Sequence, residues 1–88
     1  MNTFQLTIAT PDGSRFSGEA VGLFVRGTEG DLAVLAGHTP FITAVKAGPC
    51  RIELPDDTDR TGQVDGGLLT VSAERVTLLS GTFRWEEE

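Results

Sequence analysis

Few side chains in this sequence could perform catalysis or bind a transition metal. The chain has one histidine, His38, one cysteine, Cys50, and no tyrosine. A nucleophile activated by His38 would need a serine or cysteine beside it in space, which sequence spacing does not show. One histidine and one cysteine do not complete a tetrahedral zinc site. We therefore expect no catalytic residue, no metal ion and no cofactor.

An acidic segment begins like a calcium-binding loop. Asp57 and Asp59 are two residues apart, and Gly62 stands at the sixth position of the pattern. The twelfth position, where such a loop needs a glutamate with both oxygens on the ion, is Leu68. A solvated hairpin end is therefore the better interpretation of this segment.

Lys46 lies between Val45 and Ala47, a setting that could belong to a small all-β carrier of a lipoyl or biotinyl group. Such carriers resemble one another by an acidic residue or methionine just before the lysine, where this chain has Val45. A carrier acting through Lys46, or another small ligand-binding β module, stays open as the alternative function.

The charge balance excludes two classes of partner. The net charge is −6, from 7 Lys and Arg against 13 Asp and Glu. An acidic surface repels phosphate backbones and anionic lipids, so we expect no nucleic acid and no direct membrane binding. No apolar run approaches the roughly 20 residues of a membrane span, and the first residues resemble neither a signal peptide nor a transit peptide. The lone Cys50 excludes an internal disulfide and is expected to be a small buried hydrophobe.

Apolar residues alternate with polar ones along most of the chain, which is typical of half-buried strands. Phe4, Leu6 and Ile8 show the pattern, and Gly or Pro follows most such runs. No window sustains the apolar stripe of a long helix. The pattern predicts an all-β fold of nine or ten short strands, a flattened barrel or sandwich of two roughly five-stranded, mostly antiparallel sheets. We expect residues 1–85 to form a single β-sandwich domain and residues 86–88 to be a frayed acidic tail.

Residues 27–31 carry two carboxylates, Glu29 and Asp31, on a glycine-rich segment. We expect an acidic loop held by the β scaffold, because loops of this kind often bind partners. A solvated hairpin loop without a partner is the alternative that the composition leaves open.

Residues 28–40 (TEGDLAVLAGHTP) and 41–48 (FITAVKAG) combine an acidic glycine segment, a strand, a Gly-His-x-Pro turn and a second strand. Residues 16–20, 65–71 and 76–79 add three further motifs in order. Together they resemble the epsilon subunit of the rotary, F-type ATP synthase, in its N-terminal β-sandwich domain, over residues 4–84. Ala33, Ala36 and Asp31 depart from the residues usual in that family, which puts the geometry of the loops in question.

The resemblance implies a specific set of partners. The family's β-sandwich domain lies at the foot of the central stalk, against the gamma subunit and the ring of c subunits, and performs no chemistry itself. The residues that match its c-ring contact are Glu29, Gly30 and Asp31. The residues that match its gamma contact are Thr10, Gly37, His38, Thr39, Pro40 and Thr43.

The resemblance also implies a function, a location and one departure. A chain of this family is expected to be a rotor subunit that couples proton-driven rotation to ATP synthesis. It is expected on the cytoplasmic face of the inner or plasma membrane, attached only through the complex, in a bacterium or a plastid. Family members continue into an inhibitory two-helix hairpin, which is not in this sequence. We expect no hairpin-type inhibition, and the sequence leaves open whether the hairpin is naturally missing or was removed.

Overall fold

The computed structural model describes residues 2–37 and 39–86. Within these residues the chain forms ten strands and no helix, which confirms the predicted all-β class. The strands are β1 (Phe4–Thr10), β2 (Gly13–Ala20), β3 (Gly22–Gly27), β4 (Gly30–Leu35), β5 (Phe41–Val45), β6 (Gly48–Glu53), β7 (Asp59–Val64), β8 (Gly67–Val71), β9 (Arg75–Ser80) and β10 (Phe83–Trp85).

Hydrogen bonding divides the strands into two halves of five. The first half has the order β10-β7-β6-β3-β4, and the second has the order β5-β8-β9-β1-β2. The halves join at a single residue pair, Gly27 with Val45. Beside it, the N–H of Lys46 donates to the carbonyl of Arg26 at 2.7 Å. Among the described strands only β1 and β9 pair in parallel, so the structure confirms a flattened barrel of two mostly antiparallel sheets.

The barrel nearly closes where the outer edges of β2 and β10 approach each other. Phe16 of β2 meets Trp85 of β10 edge to face, with ring centroids 6.2 Å apart. Phe83 packs on Trp85 at 4.7 Å, and the guanidinium of Arg60 lies 3.7 Å from the centre of the Trp85 ring. Aromatic pairs of this kind add roughly 0.5–1.5 kcal/mol each beyond the area that they bury. The cluster therefore holds two edges together that share no hydrogen-bonded ladder in the described chain.

Inward-facing side chains from both halves form one hydrophobic core. Burial of each leucine or isoleucine contributes about 1.5–3 kcal/mol relative to exposure. Cys50 lies in this core with a free thiol, as the sequence predicts. The largest fully buried side chains are Leu6, Ile8, Leu23, Ile52, Leu69, Leu78, Val34, Val76 and Cys50.

Strand β2 contains residues 16–20, which match a family motif but show little of the alternation that predicts the other strands. Gly13–Ala20 pairs antiparallel with β1, with a register shift between Ile8 and Ala9. Its sequence, GSRFSGEA, has only two apolar side chains apart from glycine, so alternation hardly marks it. β2 is an edge strand with little to bury, and its pairing with β1 holds it in place.

The turn between β7 and β8 is tied to the end of β9 through the buried Ser80. The hydroxyl of Ser80 lies 2.9 Å from both Asp65 Oδ1 and the Thr82 carbonyl, and it also contacts the Gly66 carbonyl. The N–H of Thr82 donates to Asp65 Oδ1 at 3.1 Å. These hydrogen bonds stabilise the carboxylate and hold the pKa of Asp65 below its usual value. The ends of β7, β8 and β9 are therefore fixed relative to one another.

Candidate interaction surfaces

The outer surface of the second half has two central rows of side chains without charge, which we call the uncharged face. Each row crosses four strands, from β5 through β8 and β9 to β1. The first row is Ala44, Leu68, Leu79 and Ala9. The second row is Ile42, Thr70, Thr77 and Thr7.

Three large apolar side chains of the uncharged face are open to solvent. Ile42 is 68% exposed, Leu68 is 44% exposed and Leu79 is 50% exposed. Their neighbours Leu69 and Leu78 are fully buried, so strand alternation directs Leu68 and Leu79 outward. Covering such side chains gains about 25 cal/mol for each Å² of apolar surface removed from water. An exposed apolar cluster without charges is typical of a surface that binds another protein.

The predicted gamma contacts lie in three different places. Gly37, Thr39 and Pro40 lie together in the exposed connection between β4 and β5, where Gly37 adopts φ +82°. His38 lies outside the described residues. Thr43 alternates with the outward residues of β5 and is half-buried toward the core.

Thr10 lies apart from the other predicted gamma contacts. In register, Thr43 is level with Ile8 of β1, three strands away, and Thr10 is two residues further along β1. At the usual spacing of strands and residues this places Thr10 about 15 Å from Thr43. Thr10 lies next to Ala9, at the border of the uncharged face. The uncharged face therefore lies between Thr10 and the predicted contacts of the β4–β5 connection.

The predicted c-ring contacts form a tight hairpin tip rather than a five-residue loop. Thr28 and Glu29 alone make the turn, while Gly30 and Asp31 already belong to β4. Gly30 has φ +134°, and a Cβ on Gly27 would lie 2.9 Å from the Gly30 carbonyl. Both glycines are therefore needed for so tight a turn. Glu29 and Asp31 are exposed, and neither forms an ion pair with any residue that the structure describes.

The other groups considered for chemistry are held in ordinary contacts. Within residues 2–37 and 39–86, no group of three or more His, Cys, Asp or Glu side chains could hold a metal ion. Asp59 of the calcium-like segment accepts a hydrogen bond from Arg51 at 3.2 Å. Burial raises the pKa of the Cys50 thiol to about 12, which keeps it neutral. In the same described residues no helix is long and apolar enough to cross a bilayer.

Sequence reasoning missed the uncharged face, although the sequence contains a signal for it. Leu68-Leu69 and Leu78-Leu79 place apolar residues on both faces of β8 and β9. An antiparallel strand with one face in water usually has polar residues on that face. Consecutive leucines in two neighbouring strands therefore indicate an outer surface that is suited to contact with another protein.

A flattened barrel with an uncharged outer face and an acidic hairpin tip defines a small β-sandwich domain. The sequence model for the "ATP synthase, Delta/Epsilon chain, beta-sandwich domain" family matches residues 3–86. The chain therefore belongs to this family, which confirms the resemblance seen in the sequence motifs. The match favours an ATP synthase subunit over a prosthetic-group carrier acting through Lys46.

Two curated relatives agree with this assignment. ATP synthase epsilon chains of Psychrobacter cryohalolentis and Psychrobacter sp. strain PRwf-1 are 40% and 39% identical over 82 residues. Each match covers 93% of this chain but only 59% of the relative's length.

A chain of the Euglena gracilis mitochondrial ATP synthase (OSCP/F1/c-ring) has a TM-score of 0.93 at 21% identity, over 100% of this chain and 56% of that one. A chain of the Tetrahymena thermophila mitochondrial ATP synthase (central stalk/c-ring) has a TM-score of 0.81 at 14% identity, over 97% of this chain and 68% of that one. At these identities the two structures show that the fold is shared.

Proposed function

We propose that the chain is a non-catalytic rotor subunit of an F-type ATP synthase that binds the gamma subunit and the c-ring. In this role it attaches the central stalk to the ring, so that proton-driven rotation reaches the catalytic head and drives ATP synthesis. Membership of the delta/epsilon family and the epsilon chains among its relatives support the proposal. The main structural support for the proposal is the uncharged face, because Ile42, Leu68 and Leu79 form an exposed apolar cluster that a stalk partner would cover.

The two partners are assigned to different surfaces. Gamma is assigned to the uncharged face together with the β4–β5 connection, where Thr39 and Pro40 are exposed. The c-ring is assigned to the hairpin tip, because the carboxylates of Glu29 and Asp31 suit cationic groups on a partner and have no described ion-pair partner of their own. His38, Thr10 and Thr43 remain predicted gamma contacts.

The proposed location follows from these partners. A subunit that binds gamma and the ring lies at the membrane surface through the complex, on the cytoplasmic face of the inner or plasma membrane in a bacterium. The net charge of −6 disfavours direct attachment to anionic lipid. The matched Psychrobacter epsilon chains support a bacterial source.

The gamma assignment is tested by placing a charge in the middle of the uncharged face. In Ala44→Glu the carboxylate would be buried without a partner on docking, and an uncompensated buried charge costs about 3–5 kcal/mol. We expect binding to a gamma-containing catalytic head, measured by isothermal titration calorimetry, to weaken by at least ~100-fold.

The matched control is Ala73→Glu, which makes the same change in the exposed β8–β9 turn. This variant is expected to bind like the unmodified chain. Circular dichroism of both variants checks that the β fold is kept. Equal binding by the two variants would remove the uncharged face from the gamma contact.

A further inference from the structure

Strand β4 leaves one backbone edge of the first half open. Among the described residues it pairs only with β3, in six consecutive residue pairs from Gly27–Gly30 to Gly22–Leu35. The two-residue turn makes Gly27 and Gly30 a hydrogen-bonded pair, and such pairs alternate along an antiparallel ladder. The next pair, Arg26 with Asp31, is therefore not hydrogen-bonded across the ladder. In agreement with this alternation, the carbonyl of Arg26 points away from β4 and accepts the Lys46 N–H on the opposite side of β3.

This alternation of hydrogen-bonded pairs determines which N–H and C=O groups of β4 have no partner on β3. Leu32 and Val34 exchange hydrogen bonds with β3, whereas Asp31, Ala33 and Leu35 direct their N–H and C=O groups to the open edge. Asp31, Ala33 and Leu35 are all exposed. The edge therefore offers regularly spaced donors and acceptors to an incoming strand.

The β4 edge also lacks the features that protect the β2 and β10 edges. The β2 edge carries Glu19, pairs through an irregular register and faces β10. The β10 edge is only three residues long and includes Arg84. Residues 32–36 (LAVLA) contain no charge and no proline, and the β3–β4 register has no bulge. Open, regular and apolar edges are the ones that pair with other chains.

A groove of about 410 Å³ on the outer face of the first half reaches this edge. Its lining includes Phe24, Ala33, Pro49 and Arg51. The guanidinium of Arg51 lies 4.1 Å from the centre of the Phe24 ring, and Arg51 Nη1 donates to Glu53 at 3.0 Å. Ala33 is the register partner of Phe24 on β4, so only a methyl group separates the ring from the open edge. A large side chain on a strand beside β4 can lie across Ala33 and contact Phe24.

The charges at the hairpin end of β4 indicate the charge that the partner should have there. Asp31 is exposed at the start of the strand, next to Glu29 in the turn. Neither carboxylate has an ion-pair partner among the described residues. A lysine or arginine at the corresponding end of an added strand would lie close to both.

We infer that β4 takes up an extended segment of another polypeptide as an additional strand. The segment has a large apolar side chain that lies across Ala33 onto Phe24, and a cationic side chain beside Asp31 and Glu29. This surface belongs to the first half, whereas the uncharged face belongs to the second half. The inference is therefore independent of the gamma contact, and it shares Asp31 and Glu29 with the proposed c-ring contact.

The test uses the peptide acetyl-Lys-Val-Phe-Val-Thr-amide as the probe and amide hydrogen exchange of the isotope-labelled chain, followed by NMR, as the measurement. At about 1 mM peptide, exchange at Ala33 and Leu35 is expected to slow at least ~10-fold, because their N–H groups become hydrogen-bonded. Exchange at Leu32 and Val34 is expected not to change, since β3 already holds their N–H groups.

Two variants at one position separate edge pairing from other modes of binding. Ala33→Pro removes an outward N–H without removing a hydrogen bond to β3, so it is expected to abolish the protection of Leu35. Ala33→Lys, which places a cation over Phe24, is also expected to abolish the protection of Leu35. This second variant keeps the test valid if the proline variant fails to fold. The matched control is Ala73→Lys in the exposed β8–β9 turn, which is expected to keep the protection.

Three results would overturn the inference. One is unchanged exchange at Ala33 and Leu35 in the presence of the peptide. Another is a peptide-induced change confined to Leu68 and Leu79 of the uncharged face. The third is protection of Ala33 without peptide that increases with chain concentration, which would make a second copy of this chain the occupant of the edge.

Discussion

Cys50 is a residue whose chemistry is set by burial alone. Its side chain is fully buried between the two sheets, and burial raises the pKa of the thiol from 9.0 to about 12. Desolvation penalises the thiolate, which is the reactive form of cysteine. The side chain therefore acts as a small hydrophobe at any physiological pH.

Replacement of Cys50 by alanine tests this burial through the pH dependence of stability. The folded pKa is raised, so the thiol's contribution is fully present below pH 9 and is lost as pH rises toward 12. Above pH 9 we expect the unfolding free energy to fall by about 1.4 kcal/mol per pH unit from this group alone.

Urea unfolding of the unmodified chain and Cys50→Ala between pH 7 and about 10.5 measures this loss. At pH 7 the variant is expected to be less stable by about 1–2 kcal/mol, because it loses part of a buried side chain. The gap is expected to narrow as pH rises, since only the unmodified chain has the thiol. A gap that is the same at every pH would show that the thiol is hydrated in the folded chain.

Single residues differ in how far the sequence predicts their surroundings. Cys50 alternates with Ile52 and Leu54 after Gly48 and Pro49, so its burial follows from the local pattern. Ser80 is different, because its partners Asp65 and Thr82 come together only when β7, β8 and β9 are paired. No local pattern marks a serine that will connect distant segments.

At the scale of elements, the β3–β4 hairpin decides how the acidic residues are presented. The Gly-Thr-Glu-Gly sequence predicts a flexible loop, but pairing of Gly27 with Gly30 leaves only two turn residues. Local composition identifies a turn and does not show where the ladder stops, since that depends on the register of the whole hairpin. The consequence is that Glu29 and Asp31 are held on a paired hairpin.

The charge of the hairpin tip is tested by Asp31→Lys. If the carboxylate lies opposite cationic groups of the c-ring, reversal of its charge weakens attachment to the ring at low salt. The change is expected to be no more than about 1 kcal/mol, or ~5-fold, because an exposed ion pair is well solvated. Surface plasmon resonance measures this effect as the binding of the gamma-containing head to reconstituted rings. The measurement is made at low salt and at about 0.5 M salt.

The control for this variant is Glu74→Lys in the exposed β8–β9 turn, which makes the same change in net charge. Glu74→Lys is expected to bind the ring like the unmodified chain. High salt is expected to remove the difference between Asp31→Lys and the control. Equal binding of the two variants at low salt would contradict the assignment of the tip to the ring.

At the scale of the whole molecule, the two halves separate the proposed contacts. The uncharged face lies on β5, β8, β9 and β1, and the acidic tip extends from β3 and β4. The barrel measures 29 × 27 × 23 Å, so two partners bound to these surfaces would lie close to each other. In the proposed role, the barrel connects one partner to the other.

Some features of the whole fold can be predicted because they produce a recognisable sequence pattern, and others cannot because they produce none. Alternation predicts the strands other than β2 and the all-β architecture because it reports on side-chain direction. It does not predict that β2 and β10 meet through Phe16 and Trp85, which lie far apart in sequence. Alternation also gives no information about partners, and the family motifs supplied that expectation.

Native mass spectrometry tests the proposal that the chain is a rotor subunit that binds gamma. The chain is mixed at about 1 µM with catalytic head assembled with gamma and, separately, with head that lacks gamma. We expect a one-to-one complex with the gamma-containing head and no complex with the other. Absence of a complex with the gamma-containing head, or equal binding to both heads, would contradict it.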